Sequence, residues 1–263
     1  MPLNPKTILD FGVHIYPYWE DINEGILLAI PNQKTGPKLR VLDVGCGRAA
    51  LGQAILERGH SVWGVECEPL AVEKAAARLD RVIAADLNDR IAIEKELAGQ
   101  DFDCIVFSDV LEHVYDPLGT LRMYLQFLKP GGSVLISVPN IANWEARLNL
   151  LFGRFEYAPS GVMDRTHIRF FTRSSARRMV EAAGLTVEQV GGTPYLLRAC
   201  VPLIKRFFAP GHPSGMEPQE SRRGIVDSPL YLWYQKLIYP IEYGITWMMP
   251  GLFTFRIIIV GRK

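Results

Sequence analysis

Short β-branched runs and helical patterns alternate without interruption from residue 40 to residue 140: RVLDVG, AALGQAILERG, SVWGVE, LAVEKAAARL, RVIAAD, IAIEKELAG, FDCIVFSDV, LGTLRMYLQFLKPGG and SVLISVPN. Strands spaced this way cannot pair as hairpins, because parallel neighbours need a crossover of about a dozen residues or more, normally a helix. The strand runs are apolar nearly throughout, the pattern of a sheet covered on both faces. The expectation is an α/β, doubly wound domain with five strands by residue 140. Gly59, Gly99, Gly131 and Gly132 fall where helices should end in a left-handed cap.

Around this block the chain divides into four parts. Residues 1–37 read as an N-terminal helical cap, with an aromatic cluster (Tyr16, Tyr18, Trp19), a helical pattern through Ile22, Ile26, Leu27 and Ile30, and a linker over 31–37. Residues 38–193 form the core and carry an Arg- and aromatic-rich insertion at 141–173. SSARRMVEAAG follows as a helix with a Ser cap and a terminal Gly184, then LTVEQVGG as a strand. Residues 194–250 are a second insertion, and 251–263 supply a last strand, LFTFRIIIVGRK.

Charge enters because the formal net value of +1 hides an asymmetry. Residues 1–140 hold 13 Lys and Arg against 19 Asp and Glu, and residues 141–263 hold 16 against 9. The total opposes a strong overall positive field, and no nucleic-acid-binding module is present, so nucleic acid is not expected as a partner. The four cysteines have no metal-ligand or CxxC spacing and read as reduced thiols of a cytoplasmic protein. No leader pattern opens the chain, and no apolar stretch reaches the roughly eighteen residues of a membrane span. The nearest, 229–260, is broken by Gln235, Lys236, Pro240, Glu242, Pro250 and Arg256. Its Leu230, Trp233, Leu237, Ile241 and Ile245 recur at helical spacing, so 229–249 reads as a lid, with peripheral contact at a membrane interface as the alternative.

The strongest local signal is Val41-Leu42-Asp43-Val44-Gly45-Cys46-Gly47, an apolar strand running into a glycine turn and then a helix. Glycines there let a backbone approach a ligand at the carboxyl edge of the first strand, where doubly wound sheets bind nucleotides. Glu66 ends the second strand, where a carboxylate can accept hydrogen bonds from both ribose hydroxyls, and Asp86 ends the third, where an adenine would lie. Three consecutive strand ends thus point to a nucleoside site. Gly45-x-Gly47-x-x-Ala50 also satisfies the relaxed dinucleotide pattern, which keeps a nicotinamide-dependent oxidoreductase open.

VLDVGCG, Glu66, FDCIVFSDVLEHV and LKPGGSVLISVPN together resemble the class I S-adenosylmethionine-dependent methyltransferases over roughly residues 38–190. The resemblance implies a Rossmann-like seven-stranded sheet whose last strand, here LFTFRIIIVGRK, is antiparallel and inserted beside the fifth. It also implies S-adenosylmethionine as cofactor. Asp43, Gly45 and Gly47 would lie against its methionine part, Glu66 on the ribose, Asp86 and Leu87 beside the adenine, and Ser108 and Asp109 near the sulfonium. Ala49 departs from the pattern, since many members carry a third Gly there.

Methyl transfer needs a base only if the acceptor loses a proton. His113 can take one near neutral pH, or it can simply open the next helix under the cofactor. His167, in DRTHIRFFT, is the alternative base with Asp164 orienting it, or the pair belongs to a buried network that fixes a loop. No metal is assigned to the site. Quinone-biosynthesis O-methyltransferases that this segment resembles nevertheless hold a divalent cation at the positions of Asp109, Glu112 and His113. PNIANW and DRTHIRFFT resemble a subgroup of bacterial class I methyltransferases that includes enzymes found beside surface-polysaccharide glycosyltransferases and a methionine-biosynthesis-associated group. The expected acceptor is accordingly a sugar, a phosphorylated sugar or a related small anionic or lipid-linked molecule. Arg147, Arg154, Arg165, Arg169, Arg173, Arg177 and Arg178 would match its anion. A catalytically silent adenosyl-binding partner subunit is the non-enzyme alternative.

Overall fold

The computed structural model describes residues 22–33, 36–195 and 239–263. The aromatic cluster Tyr16, Tyr18 and Trp19, Cys200 and most of the 194–250 insertion lie outside the described residues, so the lid reading is carried only by 239–250.

Seven strands form one sheet: β1 Arg40–Val44, β2 Ser61–Glu66, β3 Arg81–Ala84, β4 Phe102–Ser108, β5 Leu128–Pro139, β6 Thr186–Pro194 and β7 Thr254–Arg262. Their order is β3-β2-β1-β4-β5-β7-β6. The first five are parallel, and β7 runs antiparallel between β5 and β6, as expected of the last strand. The order reverses between β1 and β4, which opens a crevice at the carboxyl edge there.

Neighbouring residues on each strand feed opposite faces. Leu42, Val44, Ile105, Phe107, Ile136 and Ile257 join one apolar cluster, and Val41, Val62, Cys104, Val106, Leu135 and Ile258 join the other. Helices α1 (Glu24–Ala29), α2 (Ala50–Glu57) and α3 (Pro69–Ala76) cover the second face through Ile26, Ile55 and Ala75. Helices α4 (Arg90–Glu96), α5 (Pro117–Tyr124) and α7 (Arg173–Ala182) cover the first through Ile93, Leu121 and Val180. Helix α6 (Trp144–Leu151) stands in the 141–173 insertion, and α8 (Tyr239–Met248) and α9 (Pro250–Phe253) lead into β7. Among the described residues no helix is long and apolar enough to cross a membrane.

Two local expectations need correction. The cap of α7 is Thr172, not a serine: its hydroxyl accepts from the Ser175 amide while Ser175 Oγ accepts from the Thr172 amide, a reciprocal box that satisfies two otherwise unpaired donors. Gly131 and Gly132 end no helix, since α5 stops at Tyr124 and a 3-10 turn over Leu125–Phe127 precedes β5. Gly131, at φ +73°, bends the start of β5, where its amide donates to the Lys263 carbonyl and the Lys263 amide donates to Gly132.

Candidate active site

The cofactor half of the site is backbone held by carboxylates. After β1 the Gly45 and Cys46 amides both donate to the Val65 carbonyl, at 2.9 and 3.0 Å, which ties the loop to β2. Gly45 adopts φ +69°, and a Cβ there would stand 2.7 Å from Val110 Cγ2, so both conformation and space demand glycine. Glu66 Oε2 accepts from the Gly47 amide at 2.9 Å, while Oε1 accepts from the amides of Cys67 and Glu68 at 2.8 and 2.9 Å. The expected ribose ligand is therefore also the clamp that shapes the glycine loop. Ala49 occupies the left-handed region at φ +61° and is fully buried, so the position of the missing third glycine keeps a glycine's backbone.

Asp43 lies buried beneath this loop, and its Oδ2 has no hydrogen-bond partner among the described residues. Burial, and then the charge of Glu66, pushes its carboxyl up to about 7. A buried carboxyl group with one oxygen unpartnered, next to the glycine loop, fits a ligand carrying positive charge, as S-adenosylmethionine does. Asp86 Oδ1 accepts from the amide and side chain of Asn88, and the Leu87 carbonyl accepts from Tyr124 Oη at 3.2 Å, so the segment expected to flank an adenine is a turn fastened to α5.

The other half is assembled from side chains of distant segments. Ser108 ends β4, and Asp109 turns the chain at φ +54°. Ser137 of β5 holds that turn: the Asp109 amide donates to Ser137 Oγ at 3.0 Å, and the hydroxyl donates to Asp109 Oδ1 at 2.9 Å. Asn23, the cap of α1, donates to Ser137 Oγ and Ser108 Oγ at 2.8 and 3.1 Å. Arg256 Nε of β7 closes on Asp109 Oδ2 at 2.6 Å.

Glu112 and His113 lie on the 3-10 turn Leu111–His113 and do not open the next helix, which starts at Pro117. The Glu112 carbonyl accepts from the amides of Ile168 and Arg169, which brings the DRTHIRFFT segment against the turn. His113 and His167 then meet edge to face, with ring centroids 4.8 Å apart, and His113 Nδ1 faces the Thr166 carbonyl at 3.2 Å. His167 Nε2 stands 4.0 Å from Glu112 Oε1, and its Nδ1 faces the Val162 carbonyl. Glu112 is 1 % exposed, and neither carboxylate oxygen has a hydrogen-bond partner among the described residues. Burial, then the charge of Asp109, drives its proton affinity well above the usual carboxylate range. Burial and the neighbouring His167 lower that of His113.

Asp164 is not the carboxylate partner of His167. Its Oδ1 accepts from the amide and hydroxyl of Thr166, an Asx turn that shapes the loop carrying the histidine. The cation set implied by resemblance is also rearranged. Asp109 is turned to Ser137 and Arg256, and the ligand atoms of Glu112, His113 and His167 lie within 4.8 Å of one another. Part of the arginine run is spent on other partners: Arg147 donates to the Ala142 carbonyl, Arg173 to that of Val190, Arg177 pairs with Glu181, and Arg169, next to the cluster, donates to the carbonyls of Ile168 and Tyr115. Sequence reading passed over Ser137, Asn23 and Arg256 as site residues. Only Arg256 left a trace, as a charge interrupting the apolar strand TFRIIIV.

The chain matches the family described as methyltransferase domain over residues 18–190. It belongs to that family. Among curated relatives, the ubiquinone biosynthesis O-methyltransferase of Aeromonas salmonicida is 35 % identical over 64 % of this chain and 69 % of its own length. The human mitochondrial ubiquinone biosynthesis O-methyltransferase is 31 % identical over 66 % of this chain, which spans about half (49 %) of that protein. A SAM-dependent methyltransferase from Archaeoglobus fulgidus shares the fold, with a TM-score of 0.55 and 19 % identity over 91 % of this chain and 92 % of that one. The chain is a class I S-adenosylmethionine-dependent methyltransferase with that donor as its cofactor. The narrower expectation of a surface-polysaccharide enzyme finds no support in these relatives, and neither alternative class, oxidoreductase or silent partner, is favoured.

Proposed function

We propose that this methyltransferase methylates a ring hydroxyl of a small, quinone-precursor-like acceptor, with His113 as general base. The observation that carries the reading is the His113–His167–Glu112 cluster set beside Asp109 at the end of β4. The relatives named as ubiquinone biosynthesis O-methyltransferases support an oxygen acceptor of this kind. The donor supplies an activated methyl group with its leaving group already attached, so the protein's work is alignment, exclusion of water and removal of one proton.

The Thr166 carbonyl accepts from Nδ1–H of His113, which makes Nε2 the ring nitrogen that takes the hydroxyl proton. A lowered proton affinity favours the neutral imidazole at neutral pH. His167 and Glu112 position the ring from behind, and Asp164 shapes the loop that delivers His167.

A second reading rests on the orphaned Glu112 oxygens. Glu112, His167 and His113 offer carboxylate and imidazole donors suited to a divalent transition metal, which would acidify a bound hydroxyl. Undiminished turnover in chelator would exclude it; metal-stimulated turnover lost in Glu112→Ala would establish it. Ile241, Tyr243, Trp247 and Met248 of α8 are exposed and suit a peripheral membrane contact that reaches a lipid-linked acceptor, to be checked by sedimentation with vesicles.

The deciding experiment incubates the protein with methyl-labelled donor and either catechol, 3,4-dihydroxybenzoate or glucose 1-phosphate. Label on a ring oxygen is expected. Label on the sugar phosphate alone would overturn the ring-hydroxyl reading and restore a carbohydrate acceptor.

A further inference from the structure

The sheet divides the site in two. The glycine loop, Glu66 and Asp86 follow β1, β2 and β3, whereas Asp109 and the 3-10 turn with Glu112 and His113 follow β4, and His167 is brought to them by the insertion after β5. Arg256 pairs in register with Pro139, the last residue of β5, so it stands at the same carboxyl edge as Ser108 but on the side away from the nucleoside half.

Its guanidinium is held in a particular way. Nε closes on Asp109 Oδ2 at 2.6 Å, and the carbon of the guanidinium lies 5.3 Å from the centroid of the Phe255 ring. Asp109 is fixed in turn by Ser137, which is fully buried and itself anchored by Asn23. A guanidinium carries five N–H donors in a rigid plane. Here Nε makes the ion-pair contact with Asp109, and Nη1 and Nη2 make no hydrogen bond to any described residue. The side chain is 27 % exposed, which leaves this unspent fork within reach of a ligand. A guanidinium anchored through Nε with both Nη groups open is built to grip a carboxylate or phosphate bidentately. Arg256 also acts on Glu112, whose proton affinity it lowers while Asp109 raises it, so the fork and the histidine cluster share one electrostatic neighbourhood.

We propose that Arg256 is the specificity-determining residue of the acceptor half and reads an anionic oxygen group, carboxylate or phosphate, on the molecule to be methylated. This deepens the reading above and rests on it. Of the arginine run at 147–178, the obvious candidate by sequence, Arg147, Arg169 and Arg173 donate to carbonyls and Arg177 pairs with Glu181; Arg256 is brought to the carboxyl edge by the register of β7 on β5.

The test uses protein saturated with S-adenosylhomocysteine and titrated calorimetrically with catechol and with 3,4-dihydroxybenzoate, which differ by one carboxylate. Wild type is expected to bind the carboxylate form at least about tenfold more tightly, as a charge-assisted pair warrants. Arg256→Gln should bring the two within about twofold, and Arg256→Lys should fall between, since it keeps the charge and loses the fork. Arg154→Gln should retain the preference. Benzoate and inorganic phosphate carry the anion without ring hydroxyls, and saturable binding that Arg256→Gln abolishes supports the proposal whatever the ring chemistry. Equal binding of the two ring compounds by wild type, a preference that survives Arg256→Gln, or no saturable binding of any anion overturns it. Failure to bind S-adenosylhomocysteine would instead strike at the methyltransferase reading itself.

Discussion

At the end of β1 the ligand-facing surface is main chain: positive-φ residues, amides donated to the Val65 carbonyl, and the Glu66 carboxylate gripping three further amides. At the ends of β4, β5 and β7 it is side chain, with Asp109, Arg256, Glu112, His113 and His167 contributed by segments up to 147 residues apart. The first half tolerates no change of backbone shape because its donors are fixed in the chain itself. The second is adjustable one residue at a time, the property a fold needs to keep one donor and vary its acceptor.

Breaking the main-chain half should cost most. Gly45→Ala forces an L-residue to φ +69° and drives its Cβ to 2.7 Å from Val110. We expect about 2–4 kcal/mol of destabilisation, read by urea denaturation, together with loss of S-adenosylhomocysteine binding. Near-normal stability and binding would show that the loop can reshape.

On the side-chain half, His113→Ala should lower kcat about a hundredfold with donor affinity unchanged, the usual worth of a general base. His167→Ala should show a smaller loss, because it acts through His113. Since His113 holds its proton less tightly than an ordinary imidazole, the acid limb of kcat/KM should fall below the ordinary value of 6.5. A limb above that value would remove His113 from the role.

Asp43 tests whether the cofactor half answers to charge as well as shape. Its carboxyl, raised to about 7, is partly protonated near neutrality, and a cationic ligand favours the ionised form. Donor affinity should therefore climb between about pH 6 and pH 8, and binding should release a proton, visible as a buffer-dependent heat. The folded state also holds this proton more tightly than the unfolded chain, so this group's contribution to stability declines as pH rises from the ordinary value of 3.8 towards 7. Asp43→Asn should abolish both dependences.

The smallest effect is a gain. Ala49→Gly relieves an L-residue at φ +61°, ψ 32°, worth up to about 1 kcal/mol set against the greater freedom of glycine in the unfolded chain. A melting temperature that falls would mean the buried methyl contributes more than the strain costs.

The cofactor half was legible residue by residue because its parts are consecutive: an apolar strand, a glycine turn and an acidic residue closing the next strand. The strand, the positive-φ turn at Gly45 and Gly47 and the position of Glu66 at the end of β2 follow from that spacing. His113 and His167 were also visible, but their mutual arrangement was not. Asp164 looks like a partner of His167 at three residues' distance, yet an aspartate two residues before a threonine closes its own turn first. The cap of α7 went to Thr172 for the same reason, since local hydrogen bonds are settled by geometry that composition does not reveal.

The sequence by itself determined the alternating α/β pattern, the seven strands and the glycine turn at the carboxyl edge of β1, because apolar period, crossover length and glycine conformation are local properties of consecutive residues. Only the tertiary structure decided that Asp109 faces Ser137 and Arg256, that Glu112 is buried against His167 with no hydrogen bond to its oxygens among the described residues, and that Arg147, Arg173 and Arg177 are spent on other partners. These are pairings across the sheet, set by the antiparallel register of β7 on β5 and by the fold of the 141–173 insertion over the turn at 111–113. A charge in an apolar strand shows that something compensates it, and the register of the sheet supplies the partner.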